Sequence, residues 1–302
     1  MIKLNIKQNY SRKLAILFTV LLIFLLSACS PEASNYQSRL VVSTPSDAST
    51  FNSPLNQSAY SVFGYIYEGL IIENGVTGEL EPALAESWEV SEDEQTIVIT
   101  LKEGLKWSDG EPLTVDDVVF SYNEIYLNYT IPSSLKDILR IGKSGALPTV
   151  KKIDNLRVEF STPEPFAPFV RYAGGLTILP AHALKESVRT TNSEGELNYL
   201  TKWGTDTPVT EIVGNGMYRI KSYAPNQRII LEKNPFYWRQ DNQGNNLPYI
   251  ENIVWQVIEN TDNHLLNFRS GELDTIKVAA EMFPLLKREE NRGKYTIYNG
   301  GP

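Results

Sequence analysis

Cysteine is nearly absent from this 302-residue chain: Cys29 is the only one, so no disulfide can close within it. Histidine is almost as scarce, with His182 and His264 alone. No His, Cys and carboxylate cluster has the spacing of metal ligands, and no glycine-rich loop has the form of a phosphate cradle. Nothing in the order of Ser, His and Asp residues points to a hydrolase triad. A basic excess is missing too: 28 Lys and Arg stand against 36 Asp and Glu. That balance argues against nucleic acid, whose phosphates demand clustered positive charge. Beyond residue 29 no apolar run is long enough to span a bilayer. The expectation is a binding protein without catalytic residues, metal or cofactor.

The first 28 residues are unlike the rest. Lys3, Lys7, Arg12 and Lys13 precede a 13-residue apolar run, Leu14 to Leu26, and then Ser27-Ala28-Cys29. A basic stretch, a short apolar stretch and small residues make an export signal, and about 20 apolar residues would be needed for a permanent membrane helix, the alternative reading. A lone thiol directly after Leu-Ser-Ala resembles the lipobox of bacterial lipoproteins, where the cysteine is diacylated and becomes the first mature residue. Cys29 is thus the expected lipidation site, with an incidental residue at an ordinary cleavage site as the other reading. The leader holds four basic and no acidic residues, which leaves the remainder at a net −12.

Residues 29–38 are polar and aperiodic and read as a tether. Arg39 to Thr44 reads as a short strand, and Pro45 to Gln57 as a loop. Val62, Tyr65, Ile66 and Leu70 fall on one face of an expected helix over Ala59 to Leu70. Thr96 to Leu101 alternates with a period of two, as a strand does. Ser108-Asp109-Gly110 is a turn. Thr114 opens a helix to about Tyr126, with Asp117 three residues on in a capping-box position. The adjacent Asp116 and Asp117 suit the positive helix end better than a catalytic pair. One strand is expected over Lys151 to Ser161, a surface insertion over Ser187 to Leu197, and strands at Gly216–Tyr223, Arg228–Lys233 and Ile253–Ile258. A helix over Asp262 to Arg269 should end at Gly271, and a last strand is expected over Thr275 to Val278. Short antiparallel strands with crossover helices read as α/β.

Several stretches together resemble family 5 solute-binding proteins of the oligopeptide- and dipeptide-binding type. They are Tyr67-Glu68-Gly69-Leu70, Pro82 to Trp88, Lys106 to Gly110, Leu113 to Ser121, Gly214 to Tyr218, Leu231 to Trp238 and Phe268 to Asp274. The resemblance implies a periplasmic-binding-protein-like II fold, a two-lobed cleft receptor, of which this chain would hold lobe one with its extra subdomain. On that reading residues 1–28 are signal peptide and 29–38 tether. Residues 39–67 and 206–290 make lobe one, 68–205 the extra subdomain, and 291–302 the start of the crossover to a second lobe. The chain is then expected to be a truncated form.

The resemblance also implies peptides as ligands, ABC permease and ATPase subunits as partners, and a place in the cell envelope, exported and facing the periplasm or exterior. Lipid on Cys29 would supply the membrane attachment. Two segments are expected to approach the ligand: the loop at Asn56, Gln57 and Ser58, and the turn Tyr129 to Ser134, with Tyr129, Ser133 and Ser134 as contacts. Plain solvent exposure is the competing account of both. Receptors for nickel complexes, oligosaccharides or opines, and an envelope scaffold without transport, stay as alternatives. Trp88, Trp107 and Trp238 are expected in the core.

Overall fold

The computed structural model describes residues 38–56 and 62–298. The leader, Cys29, the tether up to Gln37, Gln57, Ser58 and Asn299 to Pro302 lie outside the described residues. The chain opens with β1 (Arg39–Thr44). A single helical turn, α1 (Phe63–Ile66), leads to the small hairpin of β2 (Ile71–Glu73) and β3 (Leu80–Pro82). Next come β4 (Ala85–Val90), β5 (Thr96–Leu101), α2 (Val115–Phe120) and α3 (Leu135–Ile138). The antiparallel pair β6 (Thr149–Lys152) and β7 (Arg157–Ser161) follows, then α4 (Phe169–Gly175) and α5 (Ala181–Arg189). The last elements are β8 (Tyr218–Ala224), β9 (Arg228–Lys233), β10 (Asn252–Val257), α6 (Thr261–Ser270) and α7 (Phe283–Gly293).

Two four-stranded sheets carry the architecture, ordered β4-β5-β7-β6 and β1-β10-β9-β8. Among the described residues only β1 and β10 run parallel. The alternation in β5 does what its period implies: Ile97, Ile99 and Leu101 are buried, while Thr96, Val98 and Thr100 sit half-exposed. Buried side chains from both sheets, Ile99 and Phe160 in one and Leu231 and Ile253 in the other, belong to one continuous core. Trp107 is fully buried in it, and Trp88 and Trp238 pack against it part-buried.

The start of α2 shows why it forms there. Thr114 Oγ1 accepts from the Asp116 amide at 3.2 Å, and Asp117 Oδ2 accepts from the Thr114 amide at 2.8 Å, a reciprocal capping box. Asp116 is an exposed partner of Lys152 at 2.9 Å. The helix then widens into a π turn over Ser121–Tyr126, whose Tyr122 and Tyr126 hydroxyls donate to the Ala173 and Thr177 carbonyls.

Four expectations need correction. Of the helix expected over Ala59 to Leu70, Ala59 to Ser61 lie outside the described residues and the described part is one turn, Phe63–Ile66; from Tyr67 the backbone is extended, because Glu68 and Leu70 bond to Asn215, Ala83 and Ala85 instead of to their own turn. Lys151 to Ser161 is not one strand but a hairpin, reversed where Asp154 Oδ1 accepts the Leu156 and Arg157 amides. The supposed insertion from Ser187 begins as the last turn of α5, a helix that opens directly after Pro180. Thr275 to Val278 forms no strand: Asp274 bonds the free edge of β1 through its amide and carboxylate at Val41, and the chain then departs from the sheet.

Candidate functional site

The loop after β1 is pinned from beneath. Phe51 donates its amide to the Trp203 carbonyl at 2.7 Å, and buried Asn52 receives the Tyr199 hydroxyl at 2.9 Å while its own amide group donates to the Tyr199 and Lys202 carbonyls. Trp203, whose carbonyl also accepts the Thr50 hydroxyl at 3.1 Å, stands at φ 60, a region costly for a bulky residue. A short 3-10 turn, Ser53–Leu55, then delivers Asn56, whose side-chain amide donates to the Thr50 carbonyl at 3.3 Å. Asn56 thus belongs to a preformed loop. Gln57 and Ser58 lie outside the described residues.

Tyr129, Ser133 and Ser134 share one turn. Asn128 shapes it, its Oδ1 accepting from the Thr130 amide and hydroxyl at 2.9 and 2.7 Å. Buried Ile131 anchors it, and Ser133 Oγ accepts the Leu135 amide at 3.3 Å. Tyr129 stands out at 74% exposed. Its ring lies 4.5 Å from the ammonium of Lys136, a residue only 8% exposed. The sequence reading did not single out Lys136, which has no heptad or strand periodicity to mark it. The structure keeps the two expected segments on separate supports, Asn56 on the Tyr199–Trp203 stretch and Tyr129 on its own Asn128 turn.

The motif residues meet elsewhere, at the joint between the sheets. The Glu68 carboxylate accepts the Tyr237 hydroxyl at 2.5 Å and the Trp238 indole N–H at 2.9 Å. Its backbone exchanges two hydrogen bonds with the Asn215 side chain, at 2.8 and 3.2 Å. Lys102 sits 4.6 Å from the Trp238 ring centre and donates to the Ala83 and Ala85 carbonyls. Desolvation raises the Glu68 pKa against the lowering effect of those two donors, and lowers that of Lys102. Asp117 is raised for the same reason, opposed by the Thr114 and Ala181 amides.

Among the described residues neither histidine stands between a carboxylate and a nucleophile, as the base of a triad would. His182 meets Asp109 at 2.9 Å on the surface. His264 donates from Nε2 to the Ile258 carbonyl at 2.6 Å, so in the neutral ring Nδ1 accepts from Ser43 Oγ at 2.8 Å, and the pair of bonds ties α6 to β1. Among the described residues no group of three or more His, Cys, Asp or Glu side chains is placed to hold a metal, and no helix is long and apolar enough to cross a membrane. An open cleft of about 1190 Å³ lies between α6, α7 and the segment after Asp274, lined by Phe268, Lys277, Phe283 and Tyr295 among others.

Comparison with known proteins finds one family model, that of bacterial extracellular solute-binding proteins, family 5 (middle region), matching residues 79–301. The periplasmic oligopeptide-binding protein OppA of Salmonella typhimurium is 31% identical over 237 residues, 74% of this chain and 40% of that protein. The periplasmic alpha-galactoside-binding protein of Rhizobium meliloti is also 31% identical, over 236 residues, 73% of this chain and 32% of that one. Among solved structures, Haemophilus influenzae OppA in complex with RPPGFSPFR superposes with a TM-score of 0.67 at 23% identity, over 84% of this chain and 49% of that one. That likeness speaks to the fold. The chain spans less than half the length of the curated relatives it matches.

Proposed function

Because this chain belongs to the bacterial extracellular solute-binding proteins of family 5, we propose that the whole protein is the receptor of an ABC importer, capturing peptides in a cleft between two lobes and passing them to permease and ATPase subunits. The carrying observation is the family match over residues 79–301, joined to 31% identity with a protein named as oligopeptide-binding. In such a cleft a peptide pairs by its backbone like an added strand, which tolerates varied side chains. Asn56, Gln57, Ser58, Tyr129, Ser133 and Ser134 are the proposed contacts. The pinned loop and the protruding tyrosine suit that role, since one is preformed and the other offers an aromatic face.

The proposed layout assigns residues 39–67 and 206–290 to lobe one and 68–205 to an extra subdomain. The segregation of strands supports it: β4 to β7 come from within 68–205, while β1, β8, β9 and β10 come from outside. We further propose export and diacylation at Cys29. Fatty-acid labelling should mark the wild type and leave Cys29→Ser unlabelled and released from membranes; a labelled serine variant would remove the anchor.

Equal identity to an alpha-galactoside-binding protein keeps a sugar receptor as the second reading. Calorimetry on the full-length protein separates the two. A pool of three- to five-residue peptides should give a micromolar or tighter complex, and raffinose-type galactosides none. The reverse result would replace peptide by sugar.

A further inference from the structure

We propose a separate binding site, for an amphipathic anion of the long-chain carboxylate class, in the cleft of about 1190 Å³ between α6, α7 and the segment after Asp274. Its lining carries three lysines, Lys277, Lys287 and Lys294, against one acid, Asp274. That excess runs against the chain as a whole, in which 36 Asp and Glu outnumber 28 Lys and Arg. Asp274 is spent on β1, its Oδ2 accepting the Val41 amide at 2.7 Å. Lys287 is held by Glu290 at 2.6 Å. Among the described residues the ammonium groups of Lys277 and Lys294 have neither an ion pair nor a hydrogen bond. Lys294 follows α7, where a cation also suits the helix end, but Lys277 belongs to no helix. Two cationic side chains thus line one cleft, and no carboxylate of the chain neutralises them.

Much of the remaining lining is apolar. Phe268 of α6 meets Tyr295 edge-on, with ring centres 5.2 Å apart, and the Tyr295 hydroxyl donates to the carbonyl of buried Leu286 at 2.7 Å. Those contacts join the two helices along one wall. Phe283 and Tyr298 are 47% and 85% exposed, so aromatic surface stands uncovered at the same cleft. The volume exceeds the roughly 300–1,000 Å³ usual for a compact ligand, and the cleft is open, which suits a flexible chain laid along it. An alkyl chain would bury against the rings, while its carboxylate would take charge-assisted hydrogen bonds from Lys277 and Lys294. A neutral sugar gains nothing from the lysines, and a cationic ligand is repelled by them. The cleft shares no residue with the proposed peptide contacts, so this site does not depend on peptide reception.

The test is calorimetry on the full-length protein with dodecanoate, hexanoate and dodecyl maltoside, each below its micellar concentration. Dodecanoate should bind more tightly than hexanoate by about fiftyfold, the gain from roughly three further buried methylenes. Dodecyl maltoside keeps the chain and lacks the charge, so it should bind about tenfold more weakly than dodecanoate, the loss of one charge-assisted hydrogen bond. Lys277→Gln combined with Lys294→Gln should remove that difference, and Lys277→Arg combined with Lys294→Arg should keep it. Phe283→Ala should weaken both dodecyl ligands, and added salt should weaken dodecanoate alone. Both lysines and Phe283 are exposed, so these variants leave the core intact. Absence of dodecanoate binding, or an affinity unchanged in the paired glutamine variant, overturns the site. Displacement of dodecanoate by a pool of three- to five-residue peptides would make the cleft a peptide groove and overturn it as well.

Discussion

Gly69 and Gly214 are glycines for a reason that only the folded chain displays. A Cβ on Gly69 would sit 2.6 Å from the Gly174 carbonyl oxygen and 2.8 Å from that of Leu176, and one on Gly214 would press into the Ile66 carbonyl. Neither obstacle is a side chain that can swing away; both are backbone. Gly69→Ala and Gly214→Ala should therefore each lose about 1–3 kcal/mol, the range for overpacking. Gly64, within α1 and open on all sides, is the control: Gly64→Ala should leave the denaturation midpoint unchanged or slightly raised. Equal midpoints for all three would show that the close approach does not constrain the fold. In the sequence Gly69 looks like a helix end, because its spacing to Val62 and Ile66 is helical and its true neighbours lie far along the chain. Lys136 was illegible for a related reason: it sits in the single helical turn α3, too short to show a period, and its ring partner Tyr129 belongs to the turn before it.

Elements with a local cause were legible and those with a distant cause were not. The Thr114 and Asp117 box, the Gly271 cap at φ 81 and the alternation of β5 each depend on neighbours within a few residues. By contrast, α5 follows Pro180 with no capping side chain, and α7 follows Met282 with no side-chain cap bond, so the one local start signal of α7 is Pro284 in its first turn. Thr275 to Val278 has strand composition but no ladder to join, and composition alone does not make a strand. The box supplies a prediction at this scale. Thr114→Ala should cost about 1 kcal/mol, as loss of an N-cap does. Asp117→Ala should cost more, because Asp117 Oδ1 also accepts the Ala181 amide at 2.9 Å and so joins α2 to the start of α5. Unfolding in denaturant measures both, and an Asp117 variant milder than the Thr114 variant would contradict the link.

At the scale of the whole molecule the family motifs act chiefly as the joint between two sheets. Glu68 lies between the sheets in sequence, Tyr237 and Trp238 follow β9, Asn215 precedes β8, and Lys102 follows β5. Those stretches carried the resemblance to a family, and the bonds they make here fix their side-chain types, as Tyr237 and Trp238 need the Glu68 carboxylate. The fold was therefore far more legible than the site. The joint also makes stability depend on pH in a definite direction. Desolvation raises the Glu68 pKa in the folded state, above the unfolded value of about 4.3. A raised carboxyl contributes stability that is fully present below about 4.3 and is lost as the pH climbs through the folded value, since the ionised form is the one burial penalises. Glu68→Gln cannot ionise and keeps an acceptor for one of its two donors. The stability of the wild type relative to Glu68→Gln should accordingly fall as pH rises from about 4 towards 7. Glu68→Ala, which leaves both the Tyr237 hydroxyl and the Trp238 indole without their acceptor, should be less stable than either across that range, by about 2–4 kcal/mol. Thermal unfolding of the three proteins at several pH values decides it. A wild-type advantage over Glu68→Gln that grows with pH would mean that the two donors outweigh desolvation and that the joint works as a charged clamp.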